Sequence, residues 1–474
     1  MTAIKADLVV LGAGPGGYAA AFYAADLGKK VILVEQDKRP GGVCLNRGCI
    51  PSKALLNATS LMREARESAG RGISFQKPKV ELGKLRAWKE SILEKLAAGI
   101  MGLAKKRGVE VIHGKGHFEG SQTLRVETAE GQQLIEYEKL ILAVGSKPSM
   151  PAVFDLGNRR VMTSTEALEL EEIPQSLLVI GGGYIGMELG TVYATLGSRV
   201  SLVEALDQIL TGVDPDLTRP VMKFAESHFQ SVRLSTKITK MRTSGTRVAV
   251  TMETGGVEKK ETYDRVLVSV GRVPNVEDLG LENTKVQSDE RGFVKVNEKQ
   301  ETADPAIYAI GDVAGGVMLA HKASREARVA VEVITGQPSS SANVVIPAVV
   351  FTDPEIAWCG LTETEARKQN RPVQTVRFPW AASGRALTLD RTDGVTKLVI
   401  DPVTERVLGV GMTGHGAGEL ISEGVLAVEM GATARDIAAS VHPHPTLSET
   451  LMECAELFYG HATHALSPRP RQSS

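Results

Sequence analysis

The sequence predicts an α/β fold: two Rossmann-like dinucleotide-binding domains followed by a C-terminal α+β domain. Three observations predict it. A strand, glycine turn, helix and strand open the chain, and the same unit recurs 169 residues later. From about Asn343 the pattern changes to strands followed by helices. A length of 474 residues agrees with about three domains.

The first unit runs through an apolar stretch at 8–11, the turn Gly12-x-Gly14-x-x-Gly17, an Ala-rich helix over 18–27 and a second apolar stretch at 31–34 that ends on Glu35. The glycines permit a tight turn, backbone approach to a pyrophosphate and close helix–strand packing, in that order. The helix N-terminus offers N–H groups to phosphate, and Glu35 can accept ribose hydroxyls. The second unit repeats this with 177–180, Gly181-x-Gly183-x-x-Gly186, a helix to about Leu196, and 200–203 ending on Glu204. Each acidic residue stands 18 positions after its third glycine. One such motif is weak evidence, whereas two in matching context predict two dinucleotide sites. Glu204 favours NAD over NADP, because a carboxylate bonds a free 2′-hydroxyl and repels a 2′-phosphate. The following Ala205-Leu206-Asp207 offers no arginine to hold that phosphate.

Between and beyond these units, 52–106 reads as largely helical and 113–117 as a turn between strands. A strand at 139–144 ends on Gly145, and 232–270 is strand-like with turns at Ser244-Gly245 and Gly255-Gly256. A strand at 307–310 ends on Gly311-Asp312, and further strands are expected at 344–351, 395–400 and 407–412. The Pro-, Arg- and Ser-rich tail 467–474 is expected to fray.

Composition narrows the function. Lys plus Arg number 55 against 56 Asp plus Glu, a balance that argues against nucleic acid as partner. Residues 8–25 are uncharged, but five glycine and proline residues within them fit a turn better than a bilayer span. No membrane association is expected, and the chain reads as cytoplasmic, or as matrix-located if a eukaryotic transit peptide was removed. Four cysteines do not make a disulfide scaffold.

Two of those cysteines, Cys44 and Cys49, lie close together in Gly41-Gly42-Val43-Cys44-Leu45-Asn46-Arg47-Gly48-Cys49-Ile50-Pro51-Ser52-Lys53. Pro51 suits a first helical turn, which places Cys49 at a helix N-terminus where a thiolate is stabilised. Arg47 and Lys53 add positive charge. The pair reads as redox-active, metal-binding or inert core. The metal reading needs two further ligands, and no Cys or His lies nearby in the sequence. His444, taken alone, reads as a loop residue before a proline, but Glu449 five residues on can hydrogen-bond one ring nitrogen and leave the other as a base.

The run Cys44–Lys53 behind an N-terminal glycine fingerprint resembles the pyridine nucleotide–disulfide oxidoreductases, and among them the branch that oxidises dihydrolipoyl groups. The resemblance extends through 181–190, 270–275, 308–312, 378–385 and the run 442–449, so it covers essentially the whole chain. It implies FAD in the first fold and NAD in the second. It implies domains at 1–147 (FAD), 148–276 (NAD), 277–345 (a central segment completing the FAD domain) and 346–474 (dimerisation). It carries Gly116 to the adenine side of FAD, Asp312 to the ribityl chain, and Ala320 and Lys53 to the isoalloxazine. The turn Gly181–Ile185, Glu204 and Gly271 would meet NAD, and Glu188 the nicotinamide. Cys44 and Cys49 become the redox disulfide, and His444 with Glu449 the base, contributed across a homodimer. No metal is implied. His442 and His321 read as structural, and Cys359 and Cys454 as core thiols.

The resemblance further implies oxidation of dihydrolipoyl groups to lipoyl with NAD⁺ as acceptor. The group would be carried by a separate chain: the acyltransferase of a 2-oxo acid dehydrogenase complex or the carrier protein of glycine cleavage. Two features depart from that branch. Arg47 stands where a small aliphatic residue is usual, and Tyr184 is more like glutathione reductases. Rival readings are a glutathione- or mercuric-reductase-like enzyme and a non-catalytic flavin-binding scaffold. A glutathione reductase would want basic residues near Glu204, and a mercuric reductase a C-terminal cysteine pair; both are missing from the sequence, and the complete redox set argues against a scaffold.

Overall fold

A computed structural model describes residues 3–466; the tail 467–474 lies outside the described residues. The opening unit folds as strand Ile4–Leu11, helix Pro15–Asp26 and strand Val31–Glu35. Ile4–Leu11 is the centre of a seven-stranded sheet and pairs in parallel with Val31–Glu35 on one side and Gly131–Leu142 on the other. Glu110–His113 extends the parallel edge, and Thr123–Thr128 and Lys115–Gly120 add an antiparallel meander. Ile307–Ala309 comes from far along the chain and pairs in parallel with Gly131–Leu142. Val31–Glu35 is buried at every position, as expected for a strand covered on both faces.

The recurrent unit folds in the same way, as Ser176–Ile180, helix Tyr184–Leu196 and Arg199–Val203. It forms a second five-stranded sheet with Ser231–Arg233, Arg265–Val268 and Val161–Met162. A three-stranded antiparallel layer, Thr236–Ser244, Arg247–Thr254 and Val257–Tyr263, packs through Met241, Val248 and Val250 onto Leu178, Ile180 and Val266. One steric fact makes both turns glycine-dependent. A Cβ on Gly17 would lie 1.8 Å from the Gly12 carbonyl oxygen, and one on Gly186 would lie 2.1 Å from that of Gly181. Each third glycine therefore seats its helix directly on the preceding turn.

The C-terminal sheet is antiparallel, in the order Ala348–Val350, Ile356–Gly360, Val407–Thr413, Val395–Ile400, Gln374–Pro379. Helices Ala417–Glu429 and Glu449–Tyr459 pack on it around Cys359, Phe378, Ile421, Cys454 and Phe458. Cys359 and Cys454 are core thiols, as expected, and burial pushes both up to about 12. Trp380 is fully buried and donates its indole N–H to Thr396 at 2.9 Å, so the motif around it anchors this sheet.

Three local expectations need correction. The helical stretch 52–106 is two helices, Cys49–Glu67 and Leu82–Lys106, separated by a glycine- and proline-containing connection. The turn expected at 113–117 is Gly114 alone, with strands on either side. The strand expected at 344–351 is only Ala348–Val350, because Pro347 lacks the N–H a ladder needs.

The second unit and the C-terminal sheet share an ionic core that the sequence did not flag. Lys397, 1% exposed, lies 2.8 Å from Asp214, 3.1 Å from Asp216 and 2.7 Å from Glu363. Burial disfavours the Asp214 charge, but Lys397 and the N–H groups of Thr364 and Glu363 outweigh it and hold the carboxyl at about 2. Removing the cation leaves the buried Asp214 carboxylate without its ion-pair partner, while Arg377 still meets Asp216 and Glu363. Lys397→Ala is therefore expected to cost about 3–5 kcal/mol, read as a lowered denaturant midpoint. A change within about 0.5 kcal/mol would show that the cluster contributes no stability.

Candidate active site

The two dithiol residues are placed by two short-range steric choices. Cys44 lies in helix Gly42–Arg47, and Cys49 is the first residue of helix Cys49–Glu67, with Gly48 between them. Gly42 has φ +58°, and a Cβ there would come within 2.7 Å of the Gly14 Cα. The dithiol segment thus rests directly on the first glycine turn. The sulfurs interact: the Cys44 thiol donates to Cys49, which pulls Cys49 down to about 7 against burial, with Lys53 assisting. The same hydrogen bond, with burial, pushes Cys44 far up. One sulfur is therefore a thiolate near neutrality and its partner a thiol, the polarity a dithiol–disulfide couple needs.

Lys53 is fixed one turn into that helix. Its Nζ lies 2.8 Å and 3.0 Å from the Glu188 carboxylate oxygens and 4.6 Å from the centre of the Phe351 ring. Glu188 also accepts from the Ser52 hydroxyl at 2.8 Å and the Phe351 N–H at 3.0 Å. Three donors thus hold a carboxylate that is 3% exposed. Sequence reading placed Lys53 and Glu188 against different cofactors; the fold makes them one ion pair. Ser52 and Phe351 were missed. Only the adjacency of Ser52 to Lys53 hinted at the former.

A cavity of about 400 Å³ connects these groups to the first glycine turn. Its walls include Gly12, Gly14, Glu35, Gly116, Cys44, Cys49, Lys53, Tyr184, Ile185, Glu188, Asp312 and Ala320. Nine of these twelve were expected to bind FAD or NAD, Cys44 and Cys49 to form the dithiol, and Tyr184 was noted as a departure from the lipoyl branch. Glu35 and Gly116 line it together with Cys49 and Lys53, so one channel joins the ribose carboxylate to the dithiol. Gly17, Gly181, Gly183, Gly186, Glu204 and Gly271 are not among its lining residues. Ile185 and Glu188 belong to the helix that follows the second turn, so the two nucleotide units meet at that helix.

The two acidic strand ends have matching geometry. Glu35 accepts from the Ala13 N–H at 2.8 Å and the Asp37 N–H at 2.9 Å. Glu204 accepts from the Gly182 N–H at 2.7 Å and the Leu206 N–H at 2.8 Å. Each carboxylate braces its own glycine turn. Asp312 accepts from the Ser146 hydroxyl, and Arg272 donates to that hydroxyl and to the Ser146 carbonyl, both at 2.7 Å. Arg272 and Ser146 line the cavity and were passed over, although both stood beside glycines already singled out. Arg47 pairs with Asp37, and both line the cavity.

His444 and Glu449 lie elsewhere, on the C-terminal domain. His444 Nδ1 is 2.9 Å from Glu449 Oε1, and the Thr446 N–H donates to Glu449 Oε2 at 2.7 Å. The His444 side chain is 72% exposed, and neither residue is among those lining the dithiol cavity. His442 is committed to Glu423 at 2.8 Å and the Ser440 carbonyl at 2.9 Å, and His321 to the Pro347 carbonyl at 2.6 Å. Both have the structural contacts expected of them.

Comparison with known proteins agrees with this geometry. Residues 6–327 match the pyridine nucleotide-disulphide oxidoreductase family, and 346–455 match its dimerisation domain. Dihydrolipoyl dehydrogenase of Vibrio cholerae is 44% identical over 461 residues, 97% of this chain and 97% of that protein. The Geobacillus stearothermophilus protein of the same name is 42% identical over 465 residues, 98% of each. Among solved structures, LpdA from Mycobacterium tuberculosis superposes with a TM-score of 0.89 at 26% identity, covering 96% of this chain and 99% of that one. The flavoprotein disulfide reductase RclA from Escherichia coli, as a Cu(II) complex, gives 0.86 at 27% identity, covering 96% and 100%. With paired glycine turns, a polarised dithiol at the end of the first, and family matches across both regions, the chain belongs to the pyridine nucleotide-disulphide oxidoreductase family.

Proposed function

We propose that this protein oxidises protein-bound dihydrolipoyl groups to lipoyl, with NAD⁺ as final electron acceptor. It is an FAD- and NAD-dependent oxidoreductase, and its full-length relatives at 41–44% identity are dihydrolipoyl dehydrogenases. The observation that carries the reading is the polarised pair Cys44–Cys49 in the wall of a dinucleotide-sized channel. Identity to the copper-bound reductase is much lower, which favours the dihydrolipoyl reading over other disulfide reductases.

The first site fits FAD. No side chain fills the Gly14 cradle, where a Cβ would meet nothing closer than 3.9 Å, and Glu35 lines the same channel. Gly12, Gly14 and the N-terminus of Pro15–Asp26 would hold the pyrophosphate, Glu35 and Gly116 the adenosine side, and Asp312, Ala320 and Lys53 the flavin side. The second turn fits NAD in the same manner: a Cβ on Gly183 would meet nothing within 4 Å, nor would one on Gly271. Gly181, Gly183, Gly186 and Glu204 would hold the adenosine half, and Ile185 and Glu188 face the nicotinamide end. Bound FAD supplies an acceptor for the electron pair arriving at Cys49, and NAD⁺ carries that pair away as NADH.

The chain's own residues do the rest. His444, oriented by Glu449, takes the proton from one dihydrolipoyl thiol. The resulting thiolate attacks Cys44 Sγ; the Cys44–Cys49 bond of the oxidised pair breaks, and Cys49 leaves as a thiolate stabilised by its helix N-terminus and Lys53. The second substrate thiol then attacks the substrate sulfur bound to Cys44 and gives up its proton to the departing Cys44 sulfur, closing the lipoyl ring and freeing Cys44 as a thiol. Two electrons pass from substrate to the cysteine pair, and the proton stays on His444 until solvent takes it.

The dimerisation domain supports a homodimer. The finer assignments follow from this reading. Strand pairing of Ile307–Ala309 with Gly131–Leu142 supports grouping 277–345 with 1–147, leaving 148–276 for NAD and 346–474 for the dimer contact. The partner is a lipoyl-bearing acyltransferase or glycine-cleavage carrier protein. Among the described residues no helix is long and apolar enough to cross a membrane; the bacterial origin of relatives such as that of Vibrio cholerae favours the cytoplasm.

The test is NADH formation from dihydrolipoamide by flavin-loaded protein. The rate with NAD⁺ should exceed that with NADP⁺ by about 100-fold or more, since Glu204 opposes the 2′-phosphate. Glu204→Ser should narrow that ratio. Flavin-loaded protein that forms no NADH would refute the substrate assignment.

A further inference from the structure

We propose that His464 is a positioning residue for the His444–Glu449 pair, acting through the buried carboxylate of Glu453. The inference rests on the reading of His444 as base and adds a second histidine to its electrostatic surroundings. Helix Glu449–Tyr459 carries Glu449 and Glu453 one turn apart on the same face. Two carboxylates at that spacing repel each other. Glu453 is 4% exposed, so its charge needs a partner. That partner comes from the segment after Gly460, whose left-handed conformation (φ +83°) ends the helix and turns the chain back. His464 then meets Glu453 with both of its polar groups: Nδ1 lies 2.6 Å from Oε1, and the backbone N–H lies 3.1 Å from Oε2.

The arrangement is a short ladder: His444 on Glu449, and His464 on Glu453 directly below. The charged groups on the strands and helix packed against this helix are engaged elsewhere. Arg377 and Lys397 pair with Asp216 and Glu363. Arg435 lies over the Tyr459 ring, Glu405 takes the Tyr459 hydroxyl, and Asp436 caps its own helix. His461 stacks on Tyr459, and Glu456 follows on the same helix. His464, when protonated, is thus the group placed to offset Glu453, and it also helps hold the Glu449 carboxyl below its ordinary range.

The sign of the effect follows from charge. With His464 protonated, Glu453 is neutralised and His444 feels chiefly Glu449. Without that cation, Glu453 adds uncompensated negative charge near His444, and His444 keeps its proton to higher pH. The acid limb of kcat/KM for dihydrolipoamide reports the loss of that proton.

The experiment is the kcat/KM–pH profile of the flavin-loaded dimer for wild type, His464→Ala, His464→Gln and the double variant Glu453→Gln/His464→Ala. The limb should move up by about half a pH unit in both single variants, and return in the double variant, which lacks both charges. His464→Gln retains a hydrogen-bond donor and serves if His464→Ala fails to fold. A uniform drop in rate with an unmoved limb would show that His464 only holds the chain end, and would overturn the proposal. Failure of the base reading itself has a separate signature: His444→Gln would keep its rate.

Discussion

Cys44→Ser is expected to lower dihydrolipoamide turnover on the order of 10³-fold or more, while the protein keeps its flavin. The substitution removes the only protein sulfur that the proposed exchange attacks. A serine oxygen cannot form the mixed disulfide through which substrate electrons enter. The surroundings are otherwise preserved. Cys44 shares the cavity wall with many other groups, so FAD keeps nearly all its contacts. The serine hydroxyl also takes over hydrogen-bond donation to Cys49, the leading cause of that thiol's descent to about 7. Lys53 remains in place to support the thiolate. The checks are steady-state NADH formation and flavin absorbance on the same preparation. Loss of both would mean only that the fold was damaged. Full turnover with bound flavin would mean that a different sulfur is attacked, and Cys49→Ser would then identify it.

Much of this was readable in the sequence because local chemistry determines it. Glycine spacing, an apolar strand and a carboxylate at a fixed offset define each nucleotide unit without reference to the rest of the chain. Glu35 and Glu204 show why the offset is fixed: each carboxylate reaches back to an N–H within its own glycine turn. The Cys44–Cys49 segment is local in the same sense, since Pro51 and Gly48 set the helix start.

What escaped sequence reading depends on contacts between distant positions. Ser52 and Glu188 are 136 residues apart and share a 2.8 Å hydrogen bond. Arg272 reaches Ser146 across 126 positions. Lys397 was hidden for a different reason: it stands in the apolar strand Val395–Ile400, where period-two reading treats one charge as an outward side chain. The fold instead turns it inward, toward carboxylates more than 30 positions away. The shortened strand at 348–350 reflects a proline that hydrophobicity alone does not weigh.

His444→Gln should reduce turnover about 10²–10⁴-fold, and its combination with Cys44→Ser can show where the base acts. His444 has one ring nitrogen on Glu449 and the other without a hydrogen bond among the described residues, and its side chain is largely exposed. Burial disfavours charge on Glu449, but the Thr446 N–H and His444 hold it below the usual carboxylate range. It therefore remains an anion through neutral pH and keeps the imidazole oriented. Within one chain this pair is absent from the wall of the dithiol cavity. A homodimer resolves the separation if each subunit lends its His444 to the other's cysteines. Dimers of either single variant are then inactive at both sites. A mixed dimer places both defects in one site and leaves the other intact. Random reassembly of equal amounts should recover about a quarter of the wild-type rate, because half the dimers are mixed and each has one good site of two. If His444 served the cysteines of its own chain, every site in the mixture would carry one defect and no activity would return. The two geometries therefore predict different recoveries, about one quarter and none, in a measurement that needs no further structure.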